Sequence, residues 1–162
     1  MGQNQPHPPS SIKKHPMQHK HIALSEKAVE IINLHALDAF PFECCGFLYG
    51  DEKDGRFISL AVPSLNSKEG DQRRRFEISP LDYMRAEQFA RENNTTLLGV
   101  YHSHPNHPAI ASEHDLAVAM PYFSYVIVSV TEWQVLDLKS WKLKDDQRIF
   151  EEEEVLVLEE AI

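Results

Sequence analysis

Two cysteines, Cys44 and Cys45, are all that the 162 residues contain, and as neighbours they are too close for an ordinary structural disulfide. A disulfide framework is excluded, and a reducing compartment, the cytoplasm, is the expected location. Positive charge is also scarce: 16 Lys and Arg stand against 25 Asp and Glu, a net charge of -9. Nucleic acid is therefore not an expected partner, because phosphate binding needs a basic face. No apolar run approaches the roughly 20 residues that cross a bilayer, so no membrane association is expected. The first residues lack the apolar core of a signal peptide. Met1-Gly2 is followed at position 6 by Pro6, where an acylation signal needs Ser or Thr. There is no internal repeat. A chain of this length buries one good core, so a single domain is expected, and composition carries no signal of oligomeric state.

Residues 1–21 hold Pro6, Pro8, Pro9 and Pro16 with His7, His15, His19 and His21 and almost nothing apolar, which reads as a disordered tail ahead of one domain over 22–162. Ser25 is the expected N-cap of a first helix, whose apolar face runs through Ala28, Val29, Ile32, Leu34, Ala36 and Leu37 to about Ala39. Residues 46–50 and 56–62 read as a hairpin across the turn 51–55, and 63–71 as a polar loop. Residues 73–79 alternate as a third strand facing Phe76 and Ile78 to the core. Pro80 sits at N1 of a second helix that Asn93 and Asn94 close. Residues 97–101 are a buried strand, a third helix follows Ser112 and ends at Pro121, and 125–130 pairs with 133–138 across a turn. Near the end, 148–150 and 155–158 read as short strands interrupted by the acidic run 151–154. The whole reads as an α/β domain: one mixed sheet flanked by helices.

The chemistry concentrates in residues 99–115, GVYHSHPNHPAIASEHD. His102 and His104 lie at i and i+2 on the strand end, where alternate side chains share a face and two imidazoles can converge on one divalent ion. Pro105 and Pro108 stop the strand. Ser112 is the expected N-cap of the next helix and places Asp115 in its first turn, where a carboxylate is favoured. Two imidazoles, one carboxylate and an open position form a catalytic zinc set, whereas structural sites close all four positions, usually with Cys. His107 or His114 in place of Asp115 is the competing ligand set. Upstream, Glu43 opens the strand of 46–50 and is the expected general base.

The Glu before a Cys-Gly strand, then His102-Ser103-His104-Pro105, then Ser112 and Asp115 with ten residues between His104 and Asp115, resembles the JAMM (MPN+) metalloproteases over about residues 22–154. The resemblance implies a three-layer sandwich related in outline to the cytidine deaminases. It implies Zn2+ on His102, His104 and Asp115, Glu43 as general base, Ser112 steadying the oxyanion, and hydrolysis at the C-terminus of ubiquitin-like proteins. The compact size and the run Arg73-Arg74-Arg75 look most like the bacterial branch, which acts on sulfur-carrier proteins and cuts after Gly-Gly. The arginines read as a solvated patch or as a holder of an acidic surface or terminal carboxylate. A substrate tail is expected to pair by backbone hydrogen bonds with an exposed strand near the metal.

Two rivals bound this reading. A zinc deaminase would carry H-x-E with P-C-x-x-C downstream, and the chain has neither. A non-catalytic MPN-type scaffold that binds a ubiquitin-like partner is the alternative function, against which the complete set of base, ligands and hydroxyl counts.

Overall fold

A computed structural model describes residues 21–144 and 148–159. In chain order the elements are β1 (His21–Ser25), α1 (Glu26–Ala39), β2 (Cys45–Asp51), β3 (Arg56–Ser64), α2 (Pro80–Glu92), β4 (Thr96–Pro105), α3 (Glu113–Val118), β5 (Ser124–Val130), β6 (Val135–Leu143) and β7 (Phe150–Leu158). Residues 1–20 of the expected tail lie outside the described residues, and His21 opens β1.

The sheet is mixed, as expected, but it closes on itself in the order β1-β3-β2-β4-β5-β6-β7. The simple flanked sandwich is corrected by β1, which pairs in parallel with β3 on one side and β7 on the other and so joins the two edges. The β2–β3 and β5–β6 hairpins are antiparallel, and β4 runs parallel to β5. Pro63 fits in β3 because β1 pairs only as far as Ile58, leaving the far side of the strand without a ladder partner.

Helix α1 packs on the inner face of this ring, where Ile22, Leu24, Ile32, Leu48, Ile58, Leu98 and Val126 are fully buried. Each such aliphatic side chain contributes about 1.5–3 kcal/mol. Its N-cap is Ser25, whose Oγ accepts from Ala28 N at 3.1 Å. Leu34 departs from the expected apolar face and is 59% exposed. Outside the ring, Ala86 and Ala90 of α2 pack against Phe47, Tyr49, Leu97 and Val100, giving a second core on the opposite face of the sheet. Where β4 and β5 come closest, a Cβ on Gly99 would run into the Ser124 carbonyl, so only glycine fits.

Four further expectations change. Residues 73–79 form no strand: Phe76 and Ile78 are buried, but Asn66 substitutes for a ladder, donating to Arg75 O at 3.1 Å and accepting from Glu77 N at 3.1 Å. Helix α3 stops at Val118, three residues before Pro121. Strand β6 starts at Val135 and continues to Leu143, while Trp133 stays in the turn, 83% exposed. The acidic run 151–154 does not interrupt β7 but lies within it, with Glu153 turned inward to accept from Ser124 Oγ (2.8 Å) and Ser140 Oγ (3.0 Å).

Candidate metal centre

Strand β4 delivers both histidines to one point. His102 and His104 are buried (0% and 8% exposed), and their Nε2 atoms lie 3.1 Å apart. The strand is held on both sides here, with Cys45 opposite His102 on β2 and Ser129 opposite His104 on β5. The β2 ladder ends at that pair, where Ser103 N still donates to Cys44 O at 3.1 Å, and beyond it His104 and Pro105 are laddered to β5.

Past Pro105 the chain reverses through Asn106, whose φ of 59° lies in the left-handed region that asparagine tolerates. Single hydrogen bonds then pin the loop. Asn106 N donates to Val130 O (2.8 Å), Ser129 Oγ to His107 O (2.6 Å) and Trp141 Nε1 to Ala109 O (3.0 Å). His104 Nδ1 lies 2.8 Å from Pro108 O, so the proton sits on Nδ1 and Nε2 presents its lone pair.

Helix α3 then begins with a capping box: Ser112 Oγ accepts from Asp115 N (3.1 Å) and Asp115 Oδ2 accepts from Ser112 N (2.8 Å). This fixes the buried Asp115 carboxylate with Oδ1 3.3 Å from His102 Nε2 and Oδ2 3.5 Å from His104 Nε2. Ligands on a tetrahedral zinc, about 2.0–2.1 Å from it, stand about 3.3 Å from one another. The 3.1 Å between the imidazole nitrogens and the 3.3 Å from His102 Nε2 to Asp115 Oδ1 have the length of such edges, while His104 Nε2 meets the other carboxylate oxygen, Oδ2, at 3.5 Å; two imidazoles and a carboxylate at these spacings fit the ion by donor type. Glu43 stands a step further back, its Oε1 3.9 Å from His104 Nε2 and one oxygen within 4.8 Å of both imidazoles. Neither competing imidazole makes a hydrogen bond to the cluster among the described residues: His107 is exposed on the loop, joined to His104 O only through its backbone N (3.5 Å), and His114 takes the second position of α3.

The electrostatics follow from burial and crowding. Burial pushes the Glu43 carboxyl up to about 8; His104 opposes this and Asp115 adds to it. Burial works to raise Asp115 as well, but the two imidazoles outweigh it and hold the carboxyl well below its usual range. Burial lowers His102, whereas at His104 the hydrogen bonds to Asp115 and Pro108 overcome burial and raise it.

Several further residues support the cluster without having been read as part of it from the sequence. Phe76 stacks on His102 with ring centres 4.4 Å apart and planes at 27°. The contact covers the face of the ring; in the ring plane, where a ligand histidine usually has a hydrogen bond, His102 Nδ1 is buried without a partner. Ser103, between the two histidines, accepts from Cys44 N at 2.9 Å. Asn66 donates to Glu43 O at 3.2 Å, and Glu43 N donates to Gln72 O at 2.7 Å. The alternation of 74–78 was the available hint of Phe76; Asn66 lay in a segment that read only as polar loop.

The cluster opens into a cleft of about 690 Å³, within the about 300–1,000 Å³ of small-molecule and peptide-end sites. Glu43, His104 and Ser112 line it with His107, Pro108 and Ile110, and Arg73 and Arg74 complete the wall.

Comparison with known proteins agrees with this geometry. Residues 25–144 match the family of prokaryotic homologs of the JAB domain. A protein of Pyrococcus furiosus named desampylase is 29% identical over 118 residues, 73% of this chain and 79% of that protein. The solution structure of a protein from Desulfitobacterium hafniense superposes with a TM-score of 0.74 at 33% identity, over 86% of this chain and 94% of that one. The crystal structure of a JAB1/MPN domain protein from Archaeoglobus fulgidus shares the fold, with a TM-score of 0.53 at 20% identity over 85% and 99% of the two chains. Sequence motif, fold and family match coincide over most of the chain, which belongs to the prokaryotic JAB/MPN family.

Proposed function

We propose that the protein is a zinc-dependent hydrolase that cuts the peptide or isopeptide bond after the C-terminal Gly-Gly of a ubiquitin-like sulfur-carrier protein in the cytoplasm. The observation that carries this reading is the cluster itself: two imidazole nitrogens 3.1 Å apart, a buried carboxylate within 3.5 Å of both, and a buried acid one step behind them, beside one cleft. The enzyme name of the Pyrococcus furiosus relative supports hydrolysis. The free, buried Cys44 and Cys45 suit a reducing compartment, and among the described residues no helix is long and apolar enough to cross a membrane.

His102, His104 and Asp115 hold the zinc in this reading. When bound, zinc polarises the scissile carbonyl and draws the pKa of a water from about 15.7 toward about 7. Glu43 takes the proton from the attacking water and returns it to the leaving nitrogen. Burial, opposed by His104 and reinforced by Asp115, pushes its carboxyl up to about 8, close to neutrality, where a group exchanges protons in both directions. The Ser112 oxygen accepts from Asp115 N, so its own proton remains available to the oxyanion. A single such donor is worth about 3–4 kcal/mol. Gly-Gly before the cut lets the substrate backbone approach where a Cβ would clash.

Mass spectrometry of small Gly-Gly carriers, incubated with the full chain, tests this. The expected product ends in Gly-Gly, chelation abolishes it, and Glu43→Gln retains zinc while losing about 10²–10⁴ in rate. A bulky residue in place of the last Gly strongly reduces cleavage. Equal cleavage of unrelated unfolded peptides overturns the substrate, and Glu43→Gln activity within a few-fold of wild type overturns the base.

A further inference from the structure

We infer that Arg73 and Arg74 form a carboxylate-binding subsite in the cleft, so that the preferred substrate carries a free carboxylate within a residue or two of the scissile bond. This rests on the hydrolase reading and deepens it. A short C-terminal extension places its α-carboxylate there, whereas a protein leaving from an isopeptide bond has none at that position.

The two arginines line the same cleft as Glu43 and His104, in a chain whose net charge is otherwise strongly negative. Their backbone is not a free loop. Gln72 O accepts from Glu43 N at 2.7 Å, Gln72 Nε2 donates to Asn66 O (3.1 Å) and Lys68 O (2.9 Å), and Asn66 Nδ2 holds Arg75 O at 3.1 Å. Phe76 then anchors the segment against His102. The arginines are thereby registered to the base and to a metal-ligand candidate through the same few bonds, and pre-organisation of this kind lowers the entropy cost of binding.

Their guanidinium groups, by contrast, are underused. Arg73 lies over the Phe42 ring, 5.8 Å from its centre, and among the described residues no carboxylate comes within ion-pairing distance of it. Arg74 reaches only Asp71, at 3.8 Å, with side chains 82% and 60% exposed. Such a pair contributes little and is readily displaced. Two weakly committed forks on a held backbone offer the bidentate geometry that a carboxylate takes.

The test uses three fluorescent peptides ending in Gly-Gly-Ala with a free carboxylate, Gly-Gly-Ala carboxamide and Gly-Gly-Glu carboxamide. Binding is measured by anisotropy to zinc-loaded Glu43→Gln protein, with and without Arg73→Gln/Arg74→Gln, and kcat/KM is measured in the active chain. The free carboxylate is expected to bind about tenfold tighter than the plain carboxamide, the scale of a charge-assisted hydrogen bond. That preference should appear mainly in KM, vanish in the double glutamine variant and persist in part with lysines. Zinc affinity should not change. Tighter arginine-dependent binding of the Glu peptide alone assigns the subsite to an acidic side chain in the substrate. Equal binding of all three, or a preference that survives the double variant, overturns the subsite. Arginine-dependent binding without turnover by the wild type would overturn the hydrolase reading and leave the subsite standing.

Discussion

At the starts of β4 and β5, Arg56 is 7% exposed and its charge is paired, although Nη2 meets Glu52 only as an ion pair and makes no well-aligned hydrogen bond. Its Nη1 lies 2.9 Å from Leu98 O, 2.9 Å from Tyr122 O and 3.0 Å from Ser124 Oγ, while Nε and Nη2 meet Glu52 Oε1 at 2.8 and 2.6 Å. Ser124 passes its own proton to Glu153, and Tyr122 donates to the other oxygen of Glu52 at 2.9 Å. At the far ends of the same two strands, two imidazole nitrogens face each other at 3.1 Å, Asp115 approaches both, and His102 Nδ1 has no partner. Both ends bury basic and acidic groups. At one end a guanidinium meets carbonyl, hydroxyl and carboxylate oxygens; at the other, two imidazole nitrogens and a carboxylate crowd together with no cationic side chain among them. Burial alone does not separate the two ends, whereas the chemical types that meet there do: a cation among acceptors at one, acceptors facing acceptors at the other.

The comparison breaks most visibly at His104. His104→Ala is expected to take zinc from about one per chain to nearly none by elemental analysis, while metal-free wild type and variant unfold within about 2 kcal/mol of each other in urea. Retention of zinc by this variant would remove the contrast. Arg56→Met should do the reverse, costing about 3–5 kcal/mol because it leaves buried acceptors unanswered, with zinc stoichiometry unchanged. Ser112→Ala sharpens the metal end further. Loss of the cap should cost about 1 kcal/mol of stability. Loss of the hydroxyl donor should cost about 10²-fold in turnover, so a variant with the stability loss alone would make Ser112 a cap only.

What the sequence disclosed was local. His102 and His104 at strand spacing, Ser112 three residues before Asp115, and Glu43 before an apolar run each combine a reactive residue type with a short-range pattern, and the structure brings all five to one cleft or its floor. What escaped depends on distant partners. Strand β1 is five residues long and ends on the residue that caps α1, so nothing within it announces a strand; its parallel neighbours lie beyond residues 56 and 154. The acid run in β7 read as an interruption because the serines that satisfy Glu153 belong to β5 and β6. Residues 73–79 disclosed their buried side chains but not their backbone, because a side chain, Asn66, holds it.

The position of β4 between two paired neighbours has a kinetic meaning. Amides along Gly46–Cys45 and Tyr101–His102 belong to ladders flanked on both sides and exchange with solvent only when most of the sheet opens. Residues 106–112 are tied down by isolated bonds, to Val130, Ser129, Trp141 and His104, and exchange through small local openings. One wall of the centre is thus permanent and the other hinged, and a metal joining them slows exchange chiefly in the hinged wall. The deuterium uptake of that loop, with and without zinc, becomes a clock for how long the site stays assembled.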